Sequence, residues 1–266
     1  MSSASRLGLP FVKALHFRLH NAITALGIVA HKPVTIRPQG DAFVVTSEGR
    51  EIWVPSAIRW RMYRRGWANR LGRLRQNFGI PDLVQIKQGD HIVDIGANVG
   101  EFAIACASLG ARVDSIEGDP KVFACLARNI ADQPGITAHQ TVVWHSEEDL
   151  TFYSAPSEAD SSLIADANDP RYQPIQVHAV PLDLLAERGG WGEIALLKCD
   201  AEGAEPEVLR GAAAVLARTR AVAIDTGPER LGQETHEPVA AILSAAGFRV
   251  FRDIRKGRKI TFGLRA

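Results

Sequence analysis

The stretch His91-Ile-Val-Asp-Ile-Gly-Ala-Asn-Val-Gly-Glu101 decides the fold of this chain. Its first five residues predict a buried strand, and a helix is predicted to begin near its last three. Gly96 and Gly100 allow the backbone to turn sharply and to approach a ligand closely. The start of the helix offers unpaired backbone N–H groups to an anionic or carboxylate group. The stretch therefore predicts a nucleoside-binding loop at the start of a Rossmann-like unit.

Outward from this stretch, strands and helices alternate along the chain. Strands are predicted at His91–Ile95, Arg112–Glu117, Thr137–Trp144, Leu150–Tyr153, Val177–Val180, Ala195–Asp200 and Ala221–Asp225. Several are apolar throughout, which is typical of parallel strands covered by helices on both faces. The last two predicted strands, Arg249–Arg252 and Lys259–Leu264, follow each other directly and indicate an antiparallel hairpin at the sheet edge. The predicted fold class is α/β, with a mostly parallel, doubly wound sheet.

Residues 1–89 lack this alternation and are predicted to extend a domain formed by residues 90–266. Apolar residues recur every three or four positions from Pro10 to about Ile28, which predicts an amphipathic packing helix. A helix lying on a membrane surface is the alternative. Short alternating runs from Val34 to Val54 predict a small β-meander. The segment Arg59–Arg75 predicts an arginine-rich helix with one packed face and exposed arginines.

The charge of the chain is distributed unevenly. Residues 1–89 contain 14 Lys and Arg and 4 Asp and Glu, whereas residues 90–266 contain 17 and 26. The N-terminal part therefore faces either the acidic remainder of the chain or an anionic partner, such as an acceptor molecule or a membrane surface. Nucleic acid is not expected, because the aromatic residues of the basic segment fall on its predicted buried face.

The three cysteines, Cys106, Cys125 and Cys199, lie in apolar runs and form no CxxC pair. Their number and spacing argue against a disulfide framework or a zinc site. No signal peptide or membrane-spanning helix is predicted near the N-terminus, since Arg6, Lys13 and Arg18 interrupt the apolar residues there. A cytoplasmic location is expected. The sequence does not predict an oligomeric state.

The polar residues of the nucleotide loop favour S-adenosylmethionine over a dinucleotide. Glu117 ends the second strand of the unit, where an acidic side chain takes the two hydroxyls of a ribose. Asn98 occupies the position at which dinucleotide folds need a glycine for the pyrophosphate. Asp94 would repel a pyrophosphate but can hold an amino group, directly or through water. We therefore predict that Asp94, Gly96, Asn98, Gly100 and Glu117 surround the cofactor.

Further motifs lie downstream of this loop. They are Asp94-Ile-Gly-Ala-Asn-Val-Gly-Glu-Phe102, Ile116-Glu117, Asn129, Leu197-Lys-Cys-Asp-Ala-Glu-Gly-Ala-Glu205 and Val208-Leu-Arg-Gly-Ala212. This combination resembles the FkbM-type family of S-adenosylmethionine-dependent methyltransferases. The resemblance spans about residues 90–251 and implies a seven-stranded methyltransferase sheet. It also implies methylation of a hydroxyl on a sugar, glycolipid, polysaccharide or secondary metabolite. One departure is Gly118-Asp119-Pro120, where the family more often has Pro-x-Pro.

The carboxylates that follow two central strands are the first candidates for catalysis. Asp200 is expected near the reacting region and the cofactor, and Glu202 follows it in the motif. Methyl transfer to a hydroxyl needs a base, which Asp200 can supply. Asp200 and Asp225 could instead form part of a magnesium site, but no ligand spacing defines one, so a metal is not favoured. His145 is a further catalytic candidate, because imidazole titrates near neutral pH.

Acceptor binding is predicted from loops and from the basic segment. Ser161 and Ser162 lie in an irregular insert and match a family feature near the ligand pocket, and an ordinary polar loop is the alternative. Asp225 ends the strand predicted beside that of Asp200, and His236 lies in the loop after Asp225. Arg64 represents the arginine cluster, whose guanidinium groups suit an anionic acceptor.

Two other functions are consistent with parts of the sequence. An NAD-dependent oxidoreductase would use a similar loop, but Asn98 and the lack of a recognisable hydride-transfer constellation disfavour it. A non-catalytic module could keep the fold and bind an anionic polymer or membrane through Arg59–Arg75. Binding of S-adenosylhomocysteine, and not of NAD, would distinguish a methyltransferase from both alternatives.

Overall fold

The computed structural model describes residues 11–27, 30–155, 157, 160–253 and 259–265. Its N-terminal elements are α1 Phe11–Ala25, β1 Val34–Gln39, β2 Ala42–Ser47, β3 Arg50–Val54, a 3-10 helix Ala57–Tyr63 and α2 Trp67–Asn77. The first part of the following α/β unit comprises β4 His91–Ile95, α3 Glu101–Ala107, β5 Arg112–Glu117, α4 Pro120–Asn129, β6 Ile136–Gln140, β7 Val142–Val143, β8 Glu148–Ser154 and β9 Gln173–Val180. Its second part comprises α5 Leu182–Arg188, β10 Ile194–Cys199, α6 Glu205–Arg210, α7 Ala213–Ala217, β11 Thr219–Asp225, α8 His236–Ala245, β12 Arg249–Asp253 and β13 Ile260–Leu264.

The main sheet has seven strands in the order β12-β13-β11-β10-β4-β5-β6. Parallel pairs run from β11 through β10, β4 and β5 to β6. The last strand, β13, is antiparallel to both of its neighbours and is inserted between β11 and β12. The predicted Rossmann-like, mostly parallel sheet with an antiparallel hairpin at one edge is confirmed. Because β4 lies between β10 and β5, the loops after these three strands meet at one edge of the sheet.

One predicted strand is wrong. The segment Thr137–Trp144 is not a single strand, because the chain leaves the main sheet at Thr141. Val142 and Val143 pair instead with Ala179 and Val180 of β9 in a separate sheet of order β7-β9-β8. Buried apolar residues lie on both sides of the break, since Ile136 of β6 and Val142 and Val143 of β7 are buried, although in different sheets. The second sheet thereby places Val142 beside the end of β5.

The N-terminal elements follow the predicted order. The β-meander is confirmed as an antiparallel sheet β1-β2-β3. Helix α1 ends at Ala25 rather than near Ile28, which lies outside the described residues, as does Pro10. α1 packs on the 3-10 helix, where the ring centroids of Phe17 and Trp60 are 5.1 Å apart.

The predicted single arginine-rich helix is corrected to two helical segments. Gly66 separates them with a φ of 94° and precedes α2. The Glu48 carboxylate accepts a hydrogen bond from the Ala68 N–H over 3.1 Å at the start of α2. The prediction that the arginines stay exposed is wrong for Arg59, which is 3% exposed. Arg59 before the break and Arg70 after it each contact a polar residue of the α/β unit.

Two apolar layers cover the faces of the main sheet. One layer joins Phe78 of the N-terminal part to Ile92 of β4 and Phe102 of α3. The other packs α5, α6, α7 and α8 around Leu197 and Ile224. The first layer therefore contains residues from both sides of position 89, and the division at that position stays a prediction.

Candidate cofactor and active site

A cavity of about 280 Å³ lies at the carboxyl ends of β4, β5 and β10. Each strand contributes polar residues to it, Asn98 after β4, Glu117 at the end of β5, and Asp200 and Glu202 after β10. Predicted residues from three separate motifs, Gly96 and Asn98, Glu117, and Asp200 and Glu202, thus share one cavity. This position, outside the carboxyl edge of a parallel sheet, is where doubly wound proteins bind their ligands.

Close contact between two loops requires the glycine at position 96. Gly96 has a φ of 69°, and a Cβ atom there would lie 1.9 Å from the backbone oxygen of Asp200. Gly100 has a different function, because a Cβ atom there would lie 2.6 Å from Cδ1 of Leu126 on α4. Of the two glycines, the described lining of the cavity includes Gly96 and not Gly100. The first glycine therefore brings the loops together, and the second allows helix packing behind them.

Asn98 links the cofactor loop to the N-terminal part of the chain. Its backbone adopts a φ of 53°, in the left-handed region that asparagine tolerates. Its Oδ1 accepts hydrogen bonds from Nη1 of Arg59 over 2.6 Å and from the Val99 N–H over 2.8 Å. Among the described residues, both bonds of this side chain use Oδ1, so its Nδ2 group is left to donate to a ligand.

Arg70 forms a second link across the cavity wall. Its Nε and Nη2 donate to the two carboxylate oxygens of Glu101 over 2.8 and 2.6 Å, in a bidentate pair. Both residues line the cavity. Although burial raises the pKa of Glu101, the Arg70 guanidinium more than offsets it and lowers that pKa overall. The first turn of α3 thus carries a fixed, paired charge.

Glu117 is placed where a ribose-binding carboxylate is expected. Its Oε2 accepts from the Asn98 N–H over 2.9 Å, and its Oε1 accepts from the Asp119 N–H over 2.8 Å. Burial raises the pKa of Glu117 to about 7, against the opposing effect of these two N–H donors. A carboxylate oxygen accepts more than one hydrogen bond, so both oxygens keep capacity for hydroxyl donors.

An apolar slot adjoins this carboxylate. Ile116, Val142 and Phe152 line the cavity there. A Cβ atom at position 118 would lie 2.6 Å from Cγ2 of Val142, so Gly118 keeps the slot open. A slot of this kind beside an acidic side chain suits the flat base and the ribose of a nucleoside.

Asp94 lies beneath the loop and is fully buried. Its Oδ1 is 3.0 Å from Nζ of Lys198 on the neighbouring strand β10. Lys198 also donates to the backbone oxygens of Ile95 and Gly96 over 3.0 and 2.8 Å. Burial raises the pKa of Asp94, and the Lys198 ammonium opposes that rise. Through these backbone contacts Lys198, paired with Asp94, holds the loop in place. Lys198 lines the cavity and Asp94 is not in the described lining, so contact of Asp94 with the cofactor stays a prediction.

Carboxylates crowd the side of the cavity after β10. Asp160, Asp200 and Glu202 line it. Burial raises the pKa of Glu202 to about 10, with further contributions from the Asp200, Glu229 and Asp160 charges. Burial and these neighbouring charges thus favour the protonated form of Glu202, which can donate a hydrogen bond.

Of the two predicted serines, Ser161 lines the cavity, whereas the described lining does not include Ser162. Ser161 donates to Oδ2 of Asp119 over 2.9 Å, and Ser162 donates to the backbone oxygen of Glu202 over 2.7 Å. The other oxygen of Asp119 accepts from the Lys121 and Val122 N–H groups and caps α4. The departure from the family pattern at Gly118-Asp119-Pro120 thus supplies a helix cap and an anchor for the insert.

The structure does not bring four other predicted residues to the cavity. His145 is exposed and lies 3.2 Å from Oγ of Ser146. Arg64 is exposed at the end of the 3-10 helix. Asp225 accepts from the Gly227 N–H at 3.2 Å, and His236 contacts Oγ1 of Thr261 at 2.7 Å. Roles for these residues remain predictions, and the described lining of the cavity does not include them.

Sequence reasoning missed residues that shape the site from a distance. Arg59 and Arg70 contact residues 39 and 31 positions later in the chain. The pattern of the basic segment predicts that both arginines are exposed to solvent, and no local pattern distinguishes them from their exposed neighbours. Lys198 lies in the motif at residues 197–205. A lysine in an otherwise apolar central strand is the signal that could have identified it.

The methyltransferase FkbM domain matches residues 94–250 of the chain. The chain belongs to the FkbM methyltransferase family. Membership of this methyltransferase family supports S-adenosylmethionine as the methyl donor, in agreement with the nucleoside slot, the acidic side chain of Glu117 and the loop at Gly96. The resemblance predicted from the motifs is confirmed.

Relatives of this family member include the hexuronic acid methyltransferase AglP of Haloferax volcanii. It is 27% identical over 52% of this chain and 59% of its own. Methyltransferase 1 of Beauveria bassiana is 28% identical over 49% of this chain and 61% of its own. The chain therefore spans less than two thirds of the length of either relative. Fibrillarin of Aeropyrum pernix with natively bound S-adenosyl-L-methionine is a similar structure, at 16% identity and a TM-score of 0.43 over 87% of this chain and 99% of its own.

The described residues contain neither a membrane-spanning helix nor a metal-binding cluster. No described helix combines the length and the apolar character needed to cross a bilayer. Within the same residues, no group of three or more His, Cys, Asp and Glu side chains has a metal-binding arrangement.

Proposed function

We propose that this family member transfers a methyl group to a hydroxyl of a sugar. The observation that carries the proposal is the position of Asp200 and Glu202, which line the cavity directly beside the cofactor loop. The close approach of Gly96 to the Asp200 backbone brings the two loops together. When bound, S-adenosylmethionine supplies the methyl group on a sulfonium centre.

Asp200 is the general base of the proposed reaction. An acceptor hydroxyl must lose its proton as its oxygen attacks, and an ionised carboxylate within hydrogen-bond reach takes that proton. Glu202 cannot do this at neutral pH, because burial raises its pKa to about 10. Glu202 instead donates a hydrogen bond that orients the acceptor. The cavity walls exclude water and position the hydroxyl, which supplies much of the rate enhancement of a displacement reaction.

The charge of the cavity supports an uncharged acceptor group. Asp160, Asp200 and Glu202 line the cavity, and Arg70 is already paired with Glu101. A carboxylate acceptor would meet like charges there, whereas a hydroxyl would meet hydrogen-bond acceptors. The similarity to a hexuronic acid methyltransferase supports a saccharide, and the acidic lining supports methylation at one of its hydroxyls.

Two measurements test the proposal. Calorimetry should show binding of S-adenosylhomocysteine and no binding of NAD. Binding of NAD alone would favour the oxidoreductase. Cell extract incubated with carbon-13-labelled methyl donor should yield a saccharide whose methyl signal is that of an O–CH₃ group and survives alkaline hydrolysis. An alkali-labile methyl ester or an N–CH₃ signal would overturn the hydroxyl acceptor. Cofactor binding without any labelled product would favour a non-catalytic module.

A further inference from the structure

Helix α1 exposes a continuous apolar line. Leu15 and Leu19 are each 53% exposed, and Leu26, just beyond the helix, is 73% exposed. Ala22 completes the line and is also exposed. The spacing of four, three and four residues places them along one side of a helix. Isolated exposed leucines are ordinary on protein surfaces, but an aligned set on one helix marks an interaction surface.

The opposite side of α1 fixes this orientation. Phe17 contacts Trp60, with ring centroids 5.1 Å apart. Asn21 donates to the backbone oxygen of Val34 over 2.8 Å and accepts from the Val34 N–H over 3.1 Å. His20 lies 3.1 Å from the backbone oxygen of Lys32. Rolling α1 to hide its leucines would break these contacts, so the apolar line stays outward.

Positive charge lies on α1 and on the segments packed against it. Arg18 lies on α1 itself and is exposed, as are Lys32, Arg64 and Arg65. The Lys32 N–H donates to the backbone oxygen of Arg64 over 2.9 Å, which joins the segment after α1 to the arginines. Residues 1–40 contain no Asp or Glu. One acidic residue, Glu48, lies 3.6 Å from Lys32 and offsets part of the charge.

We propose that this surface docks the protein on an anionic lipid membrane. Leucines on one side of a helix and flanking arginines and lysines are the combination by which interfacial helices bind such membranes. A second copy of the chain fits this surface less well, because a two-fold contact would bring the same positive charges of both copies together.

Sedimentation with vesicles tests the docking. The full chain should bind vesicles of phosphatidylcholine and phosphatidylglycerol, bind pure phosphatidylcholine vesicles much more weakly, and lose binding at high salt. The double variant Leu15→Ser, Leu19→Ser should bind the anionic vesicles about tenfold more weakly, because it removes apolar burial. Arg64→Gln with Arg65→Gln should cause a similar loss through charge. Both variants change exposed side chains, and unchanged thermal unfolding and S-adenosylhomocysteine affinity of the leucine variant show that it folds.

Leu231→Ser is the matched control. Leu231 is 66% exposed and lies outside the basic surface, so its replacement should leave vesicle binding unchanged. Equal sedimentation with neutral and anionic vesicles, or no sedimentation with either, would overturn the proposal. A wild-type dimer that the leucine variant converts to a monomer, without vesicle binding, would assign the surface to a second copy.

Discussion

Arg59 and Asn98 are joined by a hydrogen bond of 2.6 Å between a segment outside the matched family domain and the cofactor loop. Within the described part of the chain, Nε and Nη2 of Arg59 have no hydrogen-bond partner, and the residue is 3% exposed. Burying a guanidinium with so few partners is costly. The contact with Asn98 is therefore a feature of the binding site that is maintained at the expense of folding stability.

Replacing Arg59 by Met should separate binding from stability. We expect S-adenosylhomocysteine affinity to fall about tenfold, because the Asn98 side chain loses the charged donor that orients it. The free energy of unfolding should change by less than about 1 kcal/mol, because an apolar side chain of similar length relieves the buried charge. Calorimetry and urea unfolding measure the two effects. Arg61→Met, at an exposed position of the same 3-10 helix, should change neither quantity. Equal losses in both Met variants would contradict this interpretation.

Gly96 and Gly72 should respond oppositely to alanine. At position 96 the new methyl group would lie 1.9 Å from the Asp200 oxygen at a φ of 69°. We expect Gly96→Ala to destabilise the fold by at least about 2 kcal/mol and to abolish cofactor binding. A Cβ atom at Gly72, in α2, meets nothing within 4 Å, so Gly72→Ala should stabilise by about 1 kcal/mol. Thermal unfolding measures both, and a tolerated alanine at position 96 would show that the loops do not meet as closely as described.

The assignment of the base predicts different effects at two neighbouring acids. Asp200→Asn should lower kcat by about a hundredfold to ten-thousandfold, because the amide cannot accept the hydroxyl proton. Glu202→Gln should lower it much less, since Glu202 is protonated near neutral pH and glutamine resembles that form. Steady-state kinetics with the labelled saccharide acceptor measure both. The reverse order of effects would identify Glu202 as the base.

Glu205 should give the protein a measurable pH dependence of stability. It is fully buried, and burial raises its pKa from 4.5 to about 7. Between these values the native state binds more protons than the unfolded state, so its contribution to stability falls as pH rises. The pKa shift corresponds to a contribution of about 3 kcal/mol to the free energy of unfolding. This contribution is lost progressively between pH 4.5 and pH 7 and is absent at higher pH.

The variant Glu205→Gln should remove this dependence. Its amide can keep the N–H donors of Ala201 and Gly203 on the oxygen and bond to Thr235 through the nitrogen. Urea unfolding over a pH series should show that the free energy of unfolding of the variant increases relative to that of the wild type as pH rises through this window. Glu193→Gln, at an exposed position, is the control and should follow the wild type. A constant difference between wild type and Glu205→Gln would show that Glu205 ionises normally.

Local patterns predicted much of the fold because each depends on neighbouring residues. The apolar strand before Gly96 and the acid at the end of β5 are separated by short, regular distances along the chain. Their placement at one sheet edge follows from the parallel order of the strands. The strand predicted across Thr141 was wrong because apolar periodicity records burial and not the sheet in which a residue pairs.

The sequence by itself determined the nucleoside loop, the sheet class and the positions of Glu117, Asp200 and Glu202 at or after strand ends, since strand periodicity and glycine geometry are local properties. Only the tertiary structure decided which arginines are exposed and which reach the site. Arg59 and Arg64 lie in one basic segment, yet one is buried against Asn98 and the other is exposed. Both arginines belong to the same helical segment before Gly66, so the difference arises from the tertiary contact of Arg59 with the cofactor loop, which joins residues distant in sequence and leaves no local pattern.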